Sequence, residues 1–249
     1  MPCLRPIKFC MCALLALAMS VQAQDNVIRI VADEWPPMTS SELHKGGFSV
    51  HLIVEVLTAL GYESSVEFVP WKRIMRTRER GAYDIIPAIW HTPEREPFFA
   101  FTQPYLENKI VFASLQETAF VFSGLPSLEN KKIGIVSSYS YPQSMLDYDK
   151  ARWLAGIDTH QNVKKLLTKR LDMVIGADAV IRYEAQKNIG SSVPLYFDTA
   201  HPIETQPLHM AINRTLPKHE KLTKEIDRMI IEFKRDGRFQ ALETLHGLK

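Results

Sequence analysis

Val27-Ile28-Arg29-Ile30-Val31, followed by Val50, Ile53, Val54, Leu57 and Leu60 up to Gly61, reads as a β-strand feeding an amphipathic helix. The first run is short and β-branched; the second repeats its apolar residues three and four apart, and glycine then stops it. The same alternation recurs along the chain. A strand is expected over 66–69, a helix over 71–80 closed by Gly81, and a strand over 83–87. After Tyr105 the pattern restarts with a strand over 132–136, helices near 142–150 and over 162–170, a strand over 172–176 and a helix over 179–187. Strands over 193–197 and 208–212 follow. A helix with Leu222, Ile226, Met229, Ile230 and Phe233 on one face then runs to Gly237, ahead of a short last helix. Alternating βα units imply parallel-type sheets covered by helices, and two successive sets imply two lobes.

Composition narrows the function classes. The 249 residues are 46% apolar and 23% charged, with 11 glycines and 15 prolines, which excludes fibres, long coiled coils and polytopic membrane proteins. Thirty basic and 28 acidic side chains leave a formal charge of +2 spread along the chain, too weak a field to attract nucleic acid.

Arg5 and Lys8 precede an apolar run over 9–19, and Val21-Gln22-Ala23 places small residues three apart, the pattern of a signal peptide cleaved ahead of Gln24. Cleavage removes two positive charges and brings the net charge to zero. All three cysteines, Cys3, Cys10 and Cys12, lie in the removed segment, so the mature chain must hold together by packing alone in an oxidising compartment. A Gram-negative periplasm fits. No cysteine stands at the cleavage point to carry a lipid anchor.

Trp35-Pro36-Pro37, Gly47-Phe48 opening a helix that ends at Leu60-Gly61, Gly81-x-x-Asp84, Thr92-Pro93-Glu94-Arg95 and Phe101-Thr102-Gln103-Pro104-Tyr105 occur in that order. Lys132-Ile133-Gly134-Ile135-Val136, the pair Asp172 and Asp178, and Phe233-x-x-Asp236-Gly237 complete the set. The ordered set resembles family 3 of the bacterial extracellular solute-binding proteins, the periplasmic receptors of polar amino-acid ABC transporters. The resemblance implies an α/β fold of the type II periplasmic-binding-protein kind: two lobes, two hinge crossovers and a ligand in the cleft between them. Lobe 1 is then expected at 24–113 plus 206–249 and lobe 2 at 114–205. Hinge closure would bury a small polar ligand, each of whose charges needs a fixed partner.

By the same resemblance, Arg95 grips the ligand's α-carboxylate, a task suited to a planar guanidinium. The bland alternative is a surface arginine paired with Glu94 or Glu96. Asp178 matches the lobe 2 carboxylate that binds the α-ammonium, and it could equally cap the helix ahead of Ala179. Asp172 is assigned a structural role at the entry to its strand. Trp35, Trp71 and Trp90 fall on or beside positions that line the lobe 1 side of the cleft, where indoles stack on planar or cationic groups; the alternative is that they fill the core. Two departures from the family pattern bear on specificity. Ser137-Ser138-Tyr139-Ser140-Tyr141-Pro142 replaces a Gly-Thr-Thr-like turn, so Ser140 can still donate while Tyr139 and Tyr141 crowd the site. Ala88 and Trp90 replace small hydroxyl residues. A larger or aromatic amino-acid-like ligand becomes credible.

No cofactor or metal site is expected, since the eight histidines lack metal-ligand spacing and neither G-x-S-x-G nor H-E-x-x-H occurs. The expected function is capture of an amino-acid-like solute by a monomer that delivers it to an ABC permease, without enzymatic activity. The alternatives are a periplasmic sensor serving a membrane receptor, or a cleft enzyme of the dehydratase type that occurs on this fold.

Overall fold

The computed structural model describes residues 27–137, 139–189, 194–200 and 202–248. The expected signal peptide and cleavage site, Ser138 and Val193 lie outside the described residues. Among these residues ten strands form one curled mixed sheet.

In β1 (Val27–Ala32), Ile28 and Ile30 turn inward while Val27 and Arg29 face out. Helix α1 (Phe48–Ala59) buries Phe48, Leu52, Ile53, Val56 and Leu57, so the opening βα reading holds. Parallel to β1 run β2 (Glu63–Phe68) on one side and β3 (Ile85–Trp90) on the other, with α2 (Trp71–Thr77) between them in sequence. The Gly81-x-x-Asp84 motif ties this set together. The buried Asp84 carboxylate accepts from Arg29 Nε at 3.0 Å, Nη2 at 2.8 Å and the Arg29 backbone N–H at 2.8 Å, bridging the approach to β3 and the middle of β1.

A second set mirrors the first. β6 (Lys132–Val136) lies between β7 (Arg152–Gly156) and β8 (Met173–Ala177), all parallel. Helices α3 (Gln143–Leu146), α4 (Thr159–Leu167) and α5 (Asp178–Ile189) accompany them. Asp158 starts α4 by accepting from the Gln161 N–H at 2.8 Å. Gly156 is required here: a β-carbon on it would stand 2.3 Å from Asn162 Oδ1.

Two long antiparallel strands connect the sets. β5 (Leu106–Leu115) pairs first with β10 (Glu204–Asn213), Leu106 opposite Leu208, and then from Ile110 onward with β8. β10 pairs with β5 over 204–208 and then with β3 and the short β4 (Phe99–Phe101). The chain therefore crosses between the two sets twice, through strands hydrogen-bonded to each other. Tyr105, closing the Phe101–Tyr105 motif, anchors the first crossover: its buried hydroxyl donates to Pro87 O at 2.9 Å and lies 2.8 Å from Ser49 Oγ. β9 (Leu195–Phe197) pairs with β5, and α6 (His219–Asp236) and α7 (Arg238–Leu245) complete the chain. Among the described residues no helix is long and apolar enough to cross a membrane.

β4, β5 and β7 were not expected. The first half of β5, Glu107-Asn108-Lys109, is polar because it forms the crossover, and β7 is a half-exposed edge strand whose Leu154 faces solvent. The helix expected near 142–150 is only one turn, and the one expected over 162–170 begins and ends three residues earlier.

Candidate ligand-binding site

The carboxyl ends of the parallel strands meet at a cavity of about 360 Å³. Of the residues singled out from the sequence, Trp35, Trp71, Ala88, Trp90, Arg95, Tyr139 and Ser140 all line it, with Asp33, Ile89 and Leu208. Asp33 and Trp35 follow β1, Trp71 opens the helix after β2, and Ala88 to Trp90 end β3. Tyr139 and Ser140 come from the turn after β6, so the second strand set covers a site built on the first. Open α/β sheets place ligands in this position, beyond the carboxyl ends of their strands.

The loop between Asp33 and α1 is held by close backbone packing. Phe48 N–H donates to Pro37 O at 3.1 Å and Ser49 N–H to Met38 O at 2.8 Å. Gly47, with φ of +89°, lies where a β-carbon would come within 2.7 Å of Met38 O. The Pro36-Pro37 bond is cis. Thr39 Oγ1 donates to Asp33 O at 2.7 Å, which fixes the backbone beneath the Asp33 carboxyl.

Arg95 is half-buried at the end of a single 3-10 turn, Pro93–Arg95. Its Nη1 donates to Trp90 O at 2.6 Å, and its guanidinium carbon stands 5.3 Å from the Trp71 ring centroid. Glu96 pairs instead with His91, at 2.9 Å, and among the described residues no carboxylate forms a salt bridge with Arg95. Burial lowers its pKa from the ordinary arginine value, and Glu94 acts in the opposite sense.

Asp33 carries the opposite charge in the same cavity. Burial pushes its carboxyl up to about 7, against a hydrogen bond from its own backbone, and the neighbouring Glu34 adds to the rise. No basic side chain among the described residues pairs with it. Tyr139 is raised well above the usual phenol range, mainly by burial and then by the charge of Asp33.

The indoles serve both as wall and as core. Trp35 and Trp90 belong to the main apolar cluster, with ring centroids 6.2 Å apart at 80°, and Tyr139 meets Trp90 edge-on at 6.3 Å. Trp71 packs beside a second cluster that contains Ile74 and Phe99.

Asp178 is not brought to this cavity. It is the first residue of α5, and its quarter-exposed carboxylate lies 3.8 Å from Arg182, one turn along the same helix. Ala177 closes β8 ahead of it, so the carboxylate belongs to the helix rather than to the strand end. Asp172 accepts from the Lys132 N–H at 2.7 Å, tying β6 to the entry of β8. Sequence reasoning passed over Asp33, although its place directly after the first strand was a signal for it.

Beyond Trp35 the groove widens into a polar space of about 820 Å³, flanked by Glu34, Ser41 and Glu42 on one side and Asp158, His160 and Lys187 on the other. Glu34 accepts from Ser41 Oγ at 2.6 Å, and Lys187 spans to Glu42 at 2.5 Å.

With this geometry the comparisons with known proteins agree. Residues 27–247 match the model of bacterial extracellular solute-binding proteins, family 3. The chain belongs to this family. Among its relatives are ABC transporter arginine-binding protein 1 of Escherichia coli K12, 24% identical over 94% of this chain and 96% of that one, and the amino-acid-binding protein AabA of Dichelobacter nodosus, 25% identical over 79% and 77%. A mutant of the T. maritima ArgBP superposes with a TM-score of 0.76 at 18% identity, covering 90% of this chain and 96% of that one. The fold is therefore the two-lobed binding-protein fold in which the family captures solutes.

Proposed function

We propose that this protein captures an amino acid or related zwitterion in the cavity at Arg95, in the periplasm, and delivers it to an ABC permease. One observation carries the reading: an aromatic-walled cavity holds a guanidinium and a carboxyl group, neither of them salt-bridged to any described residue. Charges left in this way at a closed site call for opposite charges from the ligand. Arg95 takes the carboxylate and Asp33 the positive group, in place of the Asp178 expected from the resemblance. Trp35, Trp71, Trp90, Ala88, Tyr139 and Ser140 form the wall.

The lobes are assigned to 24–113 plus 206–249 and to 114–205, hinged where β5 and β10 pair. The chain works as a monomer after removal of its signal peptide, without a cofactor and without catalysing a reaction. Because relatives bear the name arginine-binding, cationic amino acids stand first among the candidates. The test is calorimetry and thermal shift against the twenty L-amino acids and their amines. A true ligand at a hundred times its dissociation constant stabilises the fold by ~2.7 kcal/mol. If no member of the panel stabilises or binds, the reading fails. Deletion of the gene followed by uptake of the labelled ligand separates a permease partner from a sensor role, since a sensor leaves uptake unchanged.

A further inference from the structure

Two buried donors in the cavity have no acceptor. Trp71 Nε1 and Trp90 Nε1 are both shielded from solvent, and neither finds a hydrogen-bond partner among the described residues. An indole N–H is a donor only, and leaving it buried and unsatisfied is costly, so buried indoles in folded proteins nearly always have a partner. Trp153 follows the rule, with its Nε1 donating to Tyr148 O at 3.3 Å. Both exceptions line the same cavity, and both touch Arg95: Trp90 through the carbonyl that accepts from Nη1, Trp71 through the ring that faces the guanidinium.

We infer that the indole N–H groups of Trp71 and Trp90 are ligand donors that complete the carboxylate site begun by Arg95. This rests on the amino-acid reading above and adds to it which residues select the acidic end of the ligand. The donor count is consistent. A carboxylate offers about four lone-pair directions, and a guanidinium fork fills two of them, leaving two for other donors. Trp90 ends β3 at a position where the family resemblance leads one to expect a small hydroxyl side chain; here an indole N–H stands in its place. The exchange has a chemical consequence. A hydroxyl can donate or accept, whereas an indole N–H only donates, so the site rejects a carboxamide, whose NH₂ group would face a donor. It should discriminate an amino acid from its amide more strongly than a hydroxyl-lined site does.

The experiment uses ¹⁵N-indole-labelled protein, with the tryptophan resonances assigned by single Trp→Phe variants, titrated with each of the twenty L-amino acids and with the amide of any that binds. Binding should move the Trp71 and Trp90 indole protons downfield while Trp153 stays in place. Replacing Trp90 by β-(3-benzothienyl)alanine, which keeps the shape and exchanges N–H for sulfur, should weaken the amino acid about tenfold to a hundredfold. It should leave the amide nearly unchanged and should not lower the melting temperature of the free protein. An amino acid that binds without moving either resonance overturns the inference and leaves the proposed function standing. So does an unchanged ratio of acid to amide in the sulfur analogue. If no amino acid binds, the proposed function itself falls, and this inference with it.

Discussion

Asp33→Asn should reverse the usual pairing of binding with stability. In the free protein the Asp33 carboxyl titrates at about 7 because burial disfavours its charged form. A ligand cation needs the ionised form, so the free protein must lose a proton before or during binding. With a pKa near 7, about nine-tenths of the sites are ionised at pH 8 and about one in a hundred at pH 5, so affinity should fall roughly ninetyfold between them. Calorimetry at fixed ionic strength reads this directly, and the proton released at pH 6 appears as a buffer-dependent heat. Asp33→Asn should abolish the pH slope and bind no better than wild type does at pH 5. Stability should move the other way. The folded-state pKa lies above the unfolded value of 3.8, so the native state holds more protons than the unfolded chain between those two values. Its stability therefore declines as pH rises through that window. The asparagine variant lacks this decline, so its melting temperature relative to wild type should be higher at pH 8 than at pH 5. A wild-type affinity that is flat from pH 5 to pH 8, or an asparagine variant that keeps both affinity and slope, would refute the assignment of Asp33 to the ligand.

Four further outcomes are expected. Arg95→Ala should weaken the amino-acid ligand more than a hundredfold, from the ~3–5 kcal/mol lost when one partner of a buried charge pair is removed, with the fold intact by circular dichroism. Asp178→Asn should change affinity less than about twofold, because its carboxylate faces Arg182 on its own helix and exposed pairs of this kind contribute ~0.3–0.5 kcal/mol; a large loss would return Asp178 to the site. Asp84→Ala should lower the melting temperature by about 5–10 °C, from ~2–3 kcal/mol of charge-assisted hydrogen bonds between β1 and the approach to β3, without altering ligand preference. His51 Nδ1 and His246 Nε2 lie 3.1 Å apart, and burial lowers the pKa of both, with Glu55 opposing at His51 and the neighbouring histidines adding to the effect. Their unfolded forms protonate first, so stability should be full above about pH 6.5 and fall below it, and His51→Gln should flatten a melting curve series taken from pH 7.5 to 5.

The sequence was most legible where one physical signal dominated. The β1–α1 unit announces itself because Ile28, Ile30, Leu52, Ile53, Val56 and Leu57 all bury a periodic apolar face. Arg95 and the three indoles stood out because they fall on or beside positions that the family resemblance places at the cleft. β5 carries no such pattern, since its partner changes midway from β10 to β8 and its burial changes with it. Asp33 and Asp178 look alike in one dimension, each beside a strand end. What separates them is a helix: Asp178 has Arg182 four residues ahead on the same face, while Asp33 enters a loop whose backbone is held by Thr39, where no described residue offers its carboxyl a cation.

That separation changes how closure must work. With Arg95 and Asp178 on opposite lobes, a zwitterion would draw the lobes together by bridging two charges. If Arg95 and Asp33, both beside the β1–β3 set, hold the ligand as proposed, its charges would be satisfied on one side before the other arrives. What the second side adds is Tyr139 set edge-on against Trp90, and Ser140 at the rim. On that proposal closure would remove water from charge pairs already formed, which would strengthen them as the local dielectric falls. The ligand's preference for the closed form, without which it could not shift the equilibrium, would then come from that strengthening and from the aromatic cover. Tyr139→Ala should accordingly weaken binding chiefly through a faster dissociation rate, with association nearly unchanged, because the first encounter involves only the charged side. Stopped-flow fluorescence of the cleft tryptophans measures both rates, and a loss confined to association would mean that the two sides engage the ligand together.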